Sequence, residues 1–195
     1  MTKKIVLASG SPRRKELLAN IIGNNFLVSP SDVDESIDTK CSPQDFVKQL
    51  SARKAEATAS KLSNSIVIAA DTAVVHNGKI LGKPRDKDEA FNMLSSLSDS
   101  WHQVMTGLSV IDSDFCKIDQ TVVVTDVKFR FLSQEDVENY IKSGEPLDKA
   151  GAYGIQGKGA LLVERINGCY FNVVGLPIEA LSRLLKKFGI DLLLL

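Results

Sequence analysis

Apolar and polar positions along the chain follow two periods. Short apolar runs such as Ile5-Val6-Leu7 and Ile66-Val67-Ile68-Ala69-Ala70 read as buried strands. Segments in which apolar residues recur every three or four positions, such as 43–62 and 177–188, read as amphipathic helices. The pattern predicts strands at 4–8, 25–29, 65–70, 72–76, 103–111, 117–131, 160–167 and 169–174. It predicts helices at 12–22, 43–62, 86–97, 134–143 and 177–188. Ser42-Pro43 and Leu176-Pro177 mark helix starts. Asn77-Gly78 and Asn167-Gly168 are hairpin signals, and the long run 103–131 turns near Asp112-Ser113-Asp114. Helices and strands alternate with no repeat and no low-complexity linker. A mixed α/β fold with a long, twisted sheet follows.

Composition narrows the class. The 195 residues fit one domain, 1–195, or a compact two-lobed unit. Lys and Arg number 24 against 24 Asp and Glu, so broad electrostatic binding to nucleic acid or to a membrane surface is disfavoured. Any anion site must be local. Cys41, Cys116 and Cys169 form no CxxC pair and no zinc set with His76 and His102. With no signal-peptide pattern, a reducing cytoplasm is the expected location. The Leu192 to Leu195 run is too short to span a bilayer and is expected to pack on the domain or on a partner subunit.

The candidate chemistry begins at Ala8-Ser9-Gly10-Ser11-Pro12-Arg13-Arg14. A strand ends in a small-residue turn and a helix begins at once, with Ser11 as N-cap and Pro12 as first helical residue. Backbone N–H groups of a helix start, two hydroxyls and two guanidinium groups make a corner suited to polyphosphate. A capped helix with two solvated arginines is the plainer alternative. Lys54 falls on the apolar stripe of Phe46, Val47, Leu50 and Ala57. It either snorkels to water or points at a phosphate. Asp71, with Thr72, interrupts two apolar runs, and a carboxylate there is costly unless it is paired, metal-bound or facing a cleft. A turn cap, a base and a metal ligand all remain open for it. Lys83, after the 72–81 hairpin, reaches the same space if the hairpin folds back. Ser31-Asp32-Val33-Asp34-Glu35 is an acidic loop, either solvated or supplying a second carboxylate to a metal. In 143–157, glycines at 144, 151, 154 and 157 surround Tyr153 and Gln156. Gln156 can donate and accept through one amide, as reading a base edge requires, or bond only to backbone. Neither GxxxxGK[ST] nor GxGxxG occurs.

Together these segments resemble the Maf family of nucleoside triphosphate pyrophosphatases. The matching blocks are LASGSPRR at 7–14, the DE pair at 34–35, LSARKA at 50–55, ADTAVV at 70–75 and GKP at 82–84. They continue with HQVMTG at 102–107, TDVKFR at 125–130, SGEPLDKAGAYGIQG at 143–157 and NVVGLP at 172–177. Each block is weak alone; their joint order and spacing are specific. Thr72 after Asp71, with the 143–157 block, is similar to the subfamily acting on dTTP and UTP rather than its 7-methyl-GTP sister. Ser51 and Asp99-Ser100 depart from the usual family residues, which puts only local loop shape in question.

The resemblance implies an elongated, two-lobed α/β fold with flanking helices, like inosine triphosphatase, and an active site in the central cleft. It implies hydrolysis of dTTP and UTP, or of modified pyrimidine nucleotides, to monophosphate and pyrophosphate. Asp71 is then the general base, and Glu35 with Asp71 holds Mg²⁺ or Mn²⁺. Lys54, Lys83 and Glu35 complete the catalytic set. Ser9, Ser11 and Arg14 join the two lysines on the triphosphate, while Arg13, Thr72 and Gln156 select the base. A homodimer is expected. The alternative is a nucleotide sensor or septum regulator of the same fold without turnover.

Overall fold

The computed structural model describes residues 3–34 and 41–195. Its strands are β1 (Lys4–Leu7), β2 (Leu27–Val28), β3 (Ser65–His76), β4 (Lys79–Leu81), β5 (Trp101–Asp112), β6 (Ile118–Phe129) and β7 (Val163–Asn167). Its α-helices are α1 (Pro12–Ile22), α2 (Pro43–Ala59), α3 (Lys87–Leu97), α4 (Gln134–Lys142), α5 (Tyr170–Val174) and α6 (Ile178–Lys186). The strands form one mixed sheet in the order β2-β1-β3-β5-β6-β7, with β4 also paired to β3. β1 runs parallel to both β2 and β3, whereas β4 is antiparallel to β3 and β7 is antiparallel to β6. The chain divides into two compact units. The first holds residues up to Asp71, Thr106–Val123 and Gly175–Leu195; the second holds Thr72–Met105 and Val124–Val174.

In the first unit, α2 starts where Ser42 accepts the Asp45 N–H at 3.1 Å and Pro43 takes the first helical position. Its inner face buries Val47, Leu50, Ser51, Ala55, Thr58 and Ala59. The small residues let the helix lie close to the sheet: Ala55 and Ala59 pack with Val6, Ala8, Val67, Ala69 and Ile111. Gly107 is needed for that approach, because a Cβ there would lie 2.1 Å from the Val47 carbonyl oxygen. Ser51 departs from the family pattern on this helix, not in a loop. Its hydroxyl donates to the Lys48 carbonyl at 2.9 Å and meets Ser109 Oγ at 2.7 Å. Gln120 Nε2 donates to the same Ser109 at 2.9 Å, so the buried hydroxyls are satisfied. Helix α6 buries Ala180, Leu181, Leu184 and Leu185 along one stripe.

In the second unit, α3 turns Ala90, Leu94 and Leu97 inward, a spacing of four and three. They pack with Val74, Val104, Val127, Phe129, Val137, Tyr140 and Ile141. Each fully buried Leu or Phe here contributes roughly 1.5–3 kcal/mol relative to exposure. Helix α4 begins with a capping box between Ser133 and Asp136. Asp99, the other departure from the family pattern, holds Lys128 by an ion pair at 2.6 Å.

Three expectations differ. Residues 65–70 and 72–76 are one strand, β3, and Asp71 sits inside it without breaking it. The segment 169–174 is not a strand: residues 170–174 form the short helix α5. Asn172 explains that change, since its buried amide donates to the Val104 carbonyl at 3.0 Å and to Thr125 Oγ1 at 2.9 Å. A tertiary polar tie therefore overrides the local strand preference. Asn167-Gly168 accordingly joins β7 to α5 rather than two strands. Gly168 has φ +135, and a Cβ there would stand 2.9 Å from Thr125 Oγ1. Among the described residues no helix is long and apolar enough to cross a membrane. Leu192 is buried, while Leu193, Leu194 and Leu195 are exposed.

Candidate active site

Open α/β sheets present their ligand-binding groups at the carboxyl ends of parallel strands. β1 and β3 are such a pair, with Leu7 level with Ile68. The Ala8 N–H donates to the Ile68 carbonyl at 2.8 Å, so Ser9 leaves the carboxyl end of β1 beside the stretch of β3 that runs on to Asp71. The Ser9-Gly10-Ser11 turn then enters α1. Ser11 occupies the N-cap position in extended conformation, but its side chain makes no capping bond. The hydroxyl expected to close the helix is therefore left to the turn.

Ser9 is buried and organises the corner. Its Oγ accepts from the Ser11 N–H at 3.2 Å and from Arg14 Nη1 at 3.3 Å. Arg14 Nε donates to the Gly175 carbonyl at 2.8 Å, which holds the guanidinium from the other side. Arg13 stands beside it, half-buried. Short hydroxyl donors, a fixed guanidinium and a helix start are all suited to phosphate oxygens.

Lys54 does not snorkel. Its Nζ donates to Asp71 Oδ1 at 2.7 Å, and both side chains are only 12% exposed. The cost of a carboxylate inside β3 is thus met by an ammonium from α2, seventeen residues earlier. Such a pair adds little net stability compared with well-packed apolar residues. Chemically it joins a proton acceptor and possible metal ligand to a cation.

The second unit holds Thr72, Lys83 and Gln156. β3 and β4 form a hairpin with Val74 opposite Leu81. Just past it, the Gly82 carbonyl accepts the Gly151 N–H at 3.0 Å. Gly151 has φ +66, and a Cβ there would press into the Val74 side chain at 2.8 Å. The Lys83 loop and the glycine-rich segment are thereby brought together. Lys83 is exposed, and Thr72 and Gln156 are half-buried.

Under the glycine-rich segment lies a cluster of three rings. His102 meets Phe129 at 4.9 Å and Tyr153 at 5.3 Å, and Phe129 meets Tyr153 at 4.7 Å, all edge to face. Tyr153 Oη lies 2.7 Å from His102 Nε2. Burial, with His76 adding to it, pushes the His102 imidazole down to about 3, while burial pushes the Tyr153 phenol up. Both rings are neutral at pH 7 and act as a rigid floor.

Glu35 lies outside the described residues. Asp34, its neighbour, is exposed. Among the described residues no group of three or more His, Cys, Asp or Glu is arranged to hold a metal. Asp71 alone still fits a hard cation, because Mg²⁺ commonly takes one or two protein carboxylates and completes its shell with substrate phosphates and water. The sequence reading missed two groups, Tyr140 and Glu145, which bond to the backbone on either side of Gln156. Their only local signal was position: Tyr140 on the buried stripe of α4, and Glu145 in the turn after it.

The sequence matches the family described as Maf-like protein over residues 4–188. It is 50% identical to a protein of Acetivibrio thermocellus named dTTP/UTP pyrophosphatase, covering 97% of this chain and 98% of that one. A Dictyoglomus turgidum protein of the same name is 47% identical, covering 99% of this chain and 100% of its own. A Methanosarcina mazei protein, again of that name, is 45% identical, covering 97% and 96%. Among solved structures, a HAM1 protein from Coxiella burnetii overlaps 65% of this chain and 73% of its own, at 14% identity and TM-score 0.46.

Proposed function

The chain belongs to the Maf-like protein family, and from that premise we propose that it hydrolyses dTTP and UTP to the nucleoside monophosphate and pyrophosphate. The observation that carries the reading furthest is the part-buried pair of Lys54 on α2 and Asp71 within β3, in the same unit as the Ser9 and Arg14 corner.

Water attacks the α-phosphorus and pyrophosphate leaves. Such a transfer asks the protein for alignment and charge neutralisation more than for covalent chemistry. Asp71 accepts the proton of the attacking water. Lys54 orients that carboxylate and offsets phosphate charge. Ser9, Ser11, Arg14, Lys54 and Lys83 bind the triphosphate oxygens, with Ser9 already pointing Arg14 into the turn. Glu35 and Asp71 are the residues that would hold Mg²⁺ or Mn²⁺. When bound, the cation lowers the pKa of water and neutralises developing charge. Arg13, Thr72 and Gln156 select the base, whose O2, N3–H and O4 match an amide with both donor and acceptor. Cytoplasmic location and a homodimeric assembly belong to the same reading and rest on the family alone.

The test is pyrophosphate release from a panel of nucleoside triphosphates with Mg²⁺, Mn²⁺ or EDTA. Release confined to dTTP and UTP, and abolished by EDTA, is the expected result. Release only from a methylated purine triphosphate would move the chain to the sister specificity. No release by folded protein would leave a nucleotide sensor as the better reading.

A further inference from the structure

Gln156 sits in a segment that turns sharply on both sides. Gly154 precedes it by two residues, and Gly157 follows with φ +67. Gln156 is half-buried between two short 3-10 turns, Ala150–Ala152 and Gly157–Leu161, and its side chain makes no capping bond to the second. Loop residues that recognise a ligand need bracing from elsewhere.

The bracing comes from the end of α4. Tyr140 Oη accepts the Gly154 N–H at 3.3 Å. Glu145 Oε1 accepts the Lys158 N–H at 3.1 Å. Gln156 therefore lies midway between two anchored amides, one held by a phenol and one by a carboxylate. The anchors are themselves tied together. Ser143 Oγ donates to the Tyr140 carbonyl at 2.6 Å and accepts the Glu145 N–H at 3.3 Å. Gly144, with φ +79, turns the chain between them. Lys149 Nζ donates to the Glu145 carbonyl at 2.6 Å.

The fit is close enough to fix side-chain types. A Cβ at Gly157 would stand 2.9 Å from Glu145 Oε1, and a Cβ at Gly159 would stand 2.7 Å from Tyr140 Oη. Glu145 also carries a cost. Its Oε2 is buried without a hydrogen-bond partner among the described residues. A carboxylate with one satisfied and one orphaned oxygen is a poor choice for stability alone. Its return is the placement of the loop.

We infer that Glu145 and Tyr140 are positioning residues for base selection, holding Gln156 through the Lys158 and Gly154 amides. The inference rests on the proposed role of Gln156 in reading the pyrimidine. Neither side chain is assigned a contact with substrate.

Four variants test it: Glu145→Ala, Glu145→Gln, Tyr140→Phe and Gln156→Ala. The first readout is amide hydrogen exchange over 154–158, which needs no activity. Glu145→Ala speeds exchange at the Lys158 amide by about tenfold or more, the loss of a charge-assisted bond. Tyr140→Phe does the same at Gly154. Glu145→Gln keeps the acceptor and restores protection. The second readout is the ratio of kcat/KM for UTP over GTP. Glu145→Ala flattens that ratio by about tenfold or more while GTP turnover changes little. Added to Gln156→Ala, it flattens the ratio no further, because it acts through Gln156.

Unchanged exchange at Lys158 in Glu145→Ala would overturn the inference whatever the enzyme does with triphosphates. So would faster exchange with an unchanged ratio, or a loss that adds to that of Gln156→Ala. A wild-type protein with no pyrimidine preference sinks the function reading instead, and the exchange data still decide whether Glu145 and Tyr140 hold the loop.

Discussion

Asp71→Asn keeps the size of the side chain and removes its charge. In the native protein Asp71 Oδ1 accepts from Lys54 Nζ at 2.7 Å, and each side chain is 12% exposed. Breaking a fully buried pair from one side costs about 3–5 kcal/mol, and breaking an exposed one about 0–1 kcal/mol. Lys54 lies between these limits. Its four-carbon stem can carry the ammonium toward water, and the asparagine oxygen still accepts a hydrogen bond. A folding cost of about 1–2 kcal/mol follows. In a chain of 195 residues each kcal/mol lowers Tm by about 2–4 °C, so the variant melts roughly 2–8 °C below the native protein. The kinetic effect is far larger. A positioned general base contributes about 10²–10⁴ in rate. At saturating UTP, pyrophosphate release by Asp71→Asn should fall by at least about 100-fold at a temperature well below its Tm. Lys54→Met breaks the same pair from the other side and should also raise KM, since it removes a cation proposed for the triphosphate. Turnover of Asp71→Asn within about threefold of native would refute the base assignment. A lowered Tm with native turnover would make the pair a structural tie and nothing more.

Two further predictions concern the second unit. Lys83→Ala should lower kcat/KM for UTP by about 10²–10³, the loss expected for one charge-assisted contact to developing charge, while the melting temperature stays within a few degrees because Lys83 is exposed; a native kcat/KM would remove Lys83 from the triphosphate set. His102 predicts an acid-sensitive fold. Its folded pKa is depressed by burial to about 3, so between pH 6.5 and 3 the unfolded chain binds the extra proton and stability falls as pH falls. The loss is of order 1 kcal/mol per pH unit below about 6.5. Denaturant midpoints from pH 7.5 to 4.5 should drop in the native protein and drop much less in His102→Gln; parallel curves would count against the assignment.

Several features were legible because their signal is local. The strand, small turn and helix at 4–22 announce themselves through Ser11, Pro12 and the apolar run before them. Ser42-Pro43 sets the start of α2, and Lys54 and Asp71 stand out as charges on apolar tracks. What a window could not show was that these two charges are each other's partners. Local sequence left Lys54 free to snorkel and let Asp71 break the strand. The pairing keeps Lys54 inside and lets β3 run through Asp71 unbroken. The same limit explains α5. Residues 169–174 look like a strand until Asn172 finds Val104 and Thr125, which are distant in sequence. Gly168 reads as a turn residue, although its lack of a side chain is needed for contact with Thr125. Tyr140 on the buried stripe of α4 and Glu145 in the turn after it carry no local signal of a role beside Gln156. Only the backbone N–H groups that they accept reveal another role.

The chain also divides its proposed chemistry at a single peptide bond. Asp71 closes one stretch of the first unit, and Thr72 opens the second. Ser9, Ser11, Arg14, Lys54 and Asp71 belong to the first unit; Thr72, Lys83 and Gln156 belong to the second. The Lys54 bond to Asp71 lies within the first unit, and the Tyr140 and Glu145 bonds flanking Gln156 lie within the second. Effects of residues in one bonded network couple, whereas those of separate networks tend to add. On the proposed reading, changes that loosen the Gln156 loop alter which base is accepted and leave the hydrolytic step intact. Changes at Lys54 or Asp71 act on every triphosphate alike. Arg13 is the exception, since it sits in the first unit yet is proposed to read the base. A chain built this way can change its nucleotide preference through substitutions in the second unit while keeping the pair that carries out the hydrolysis.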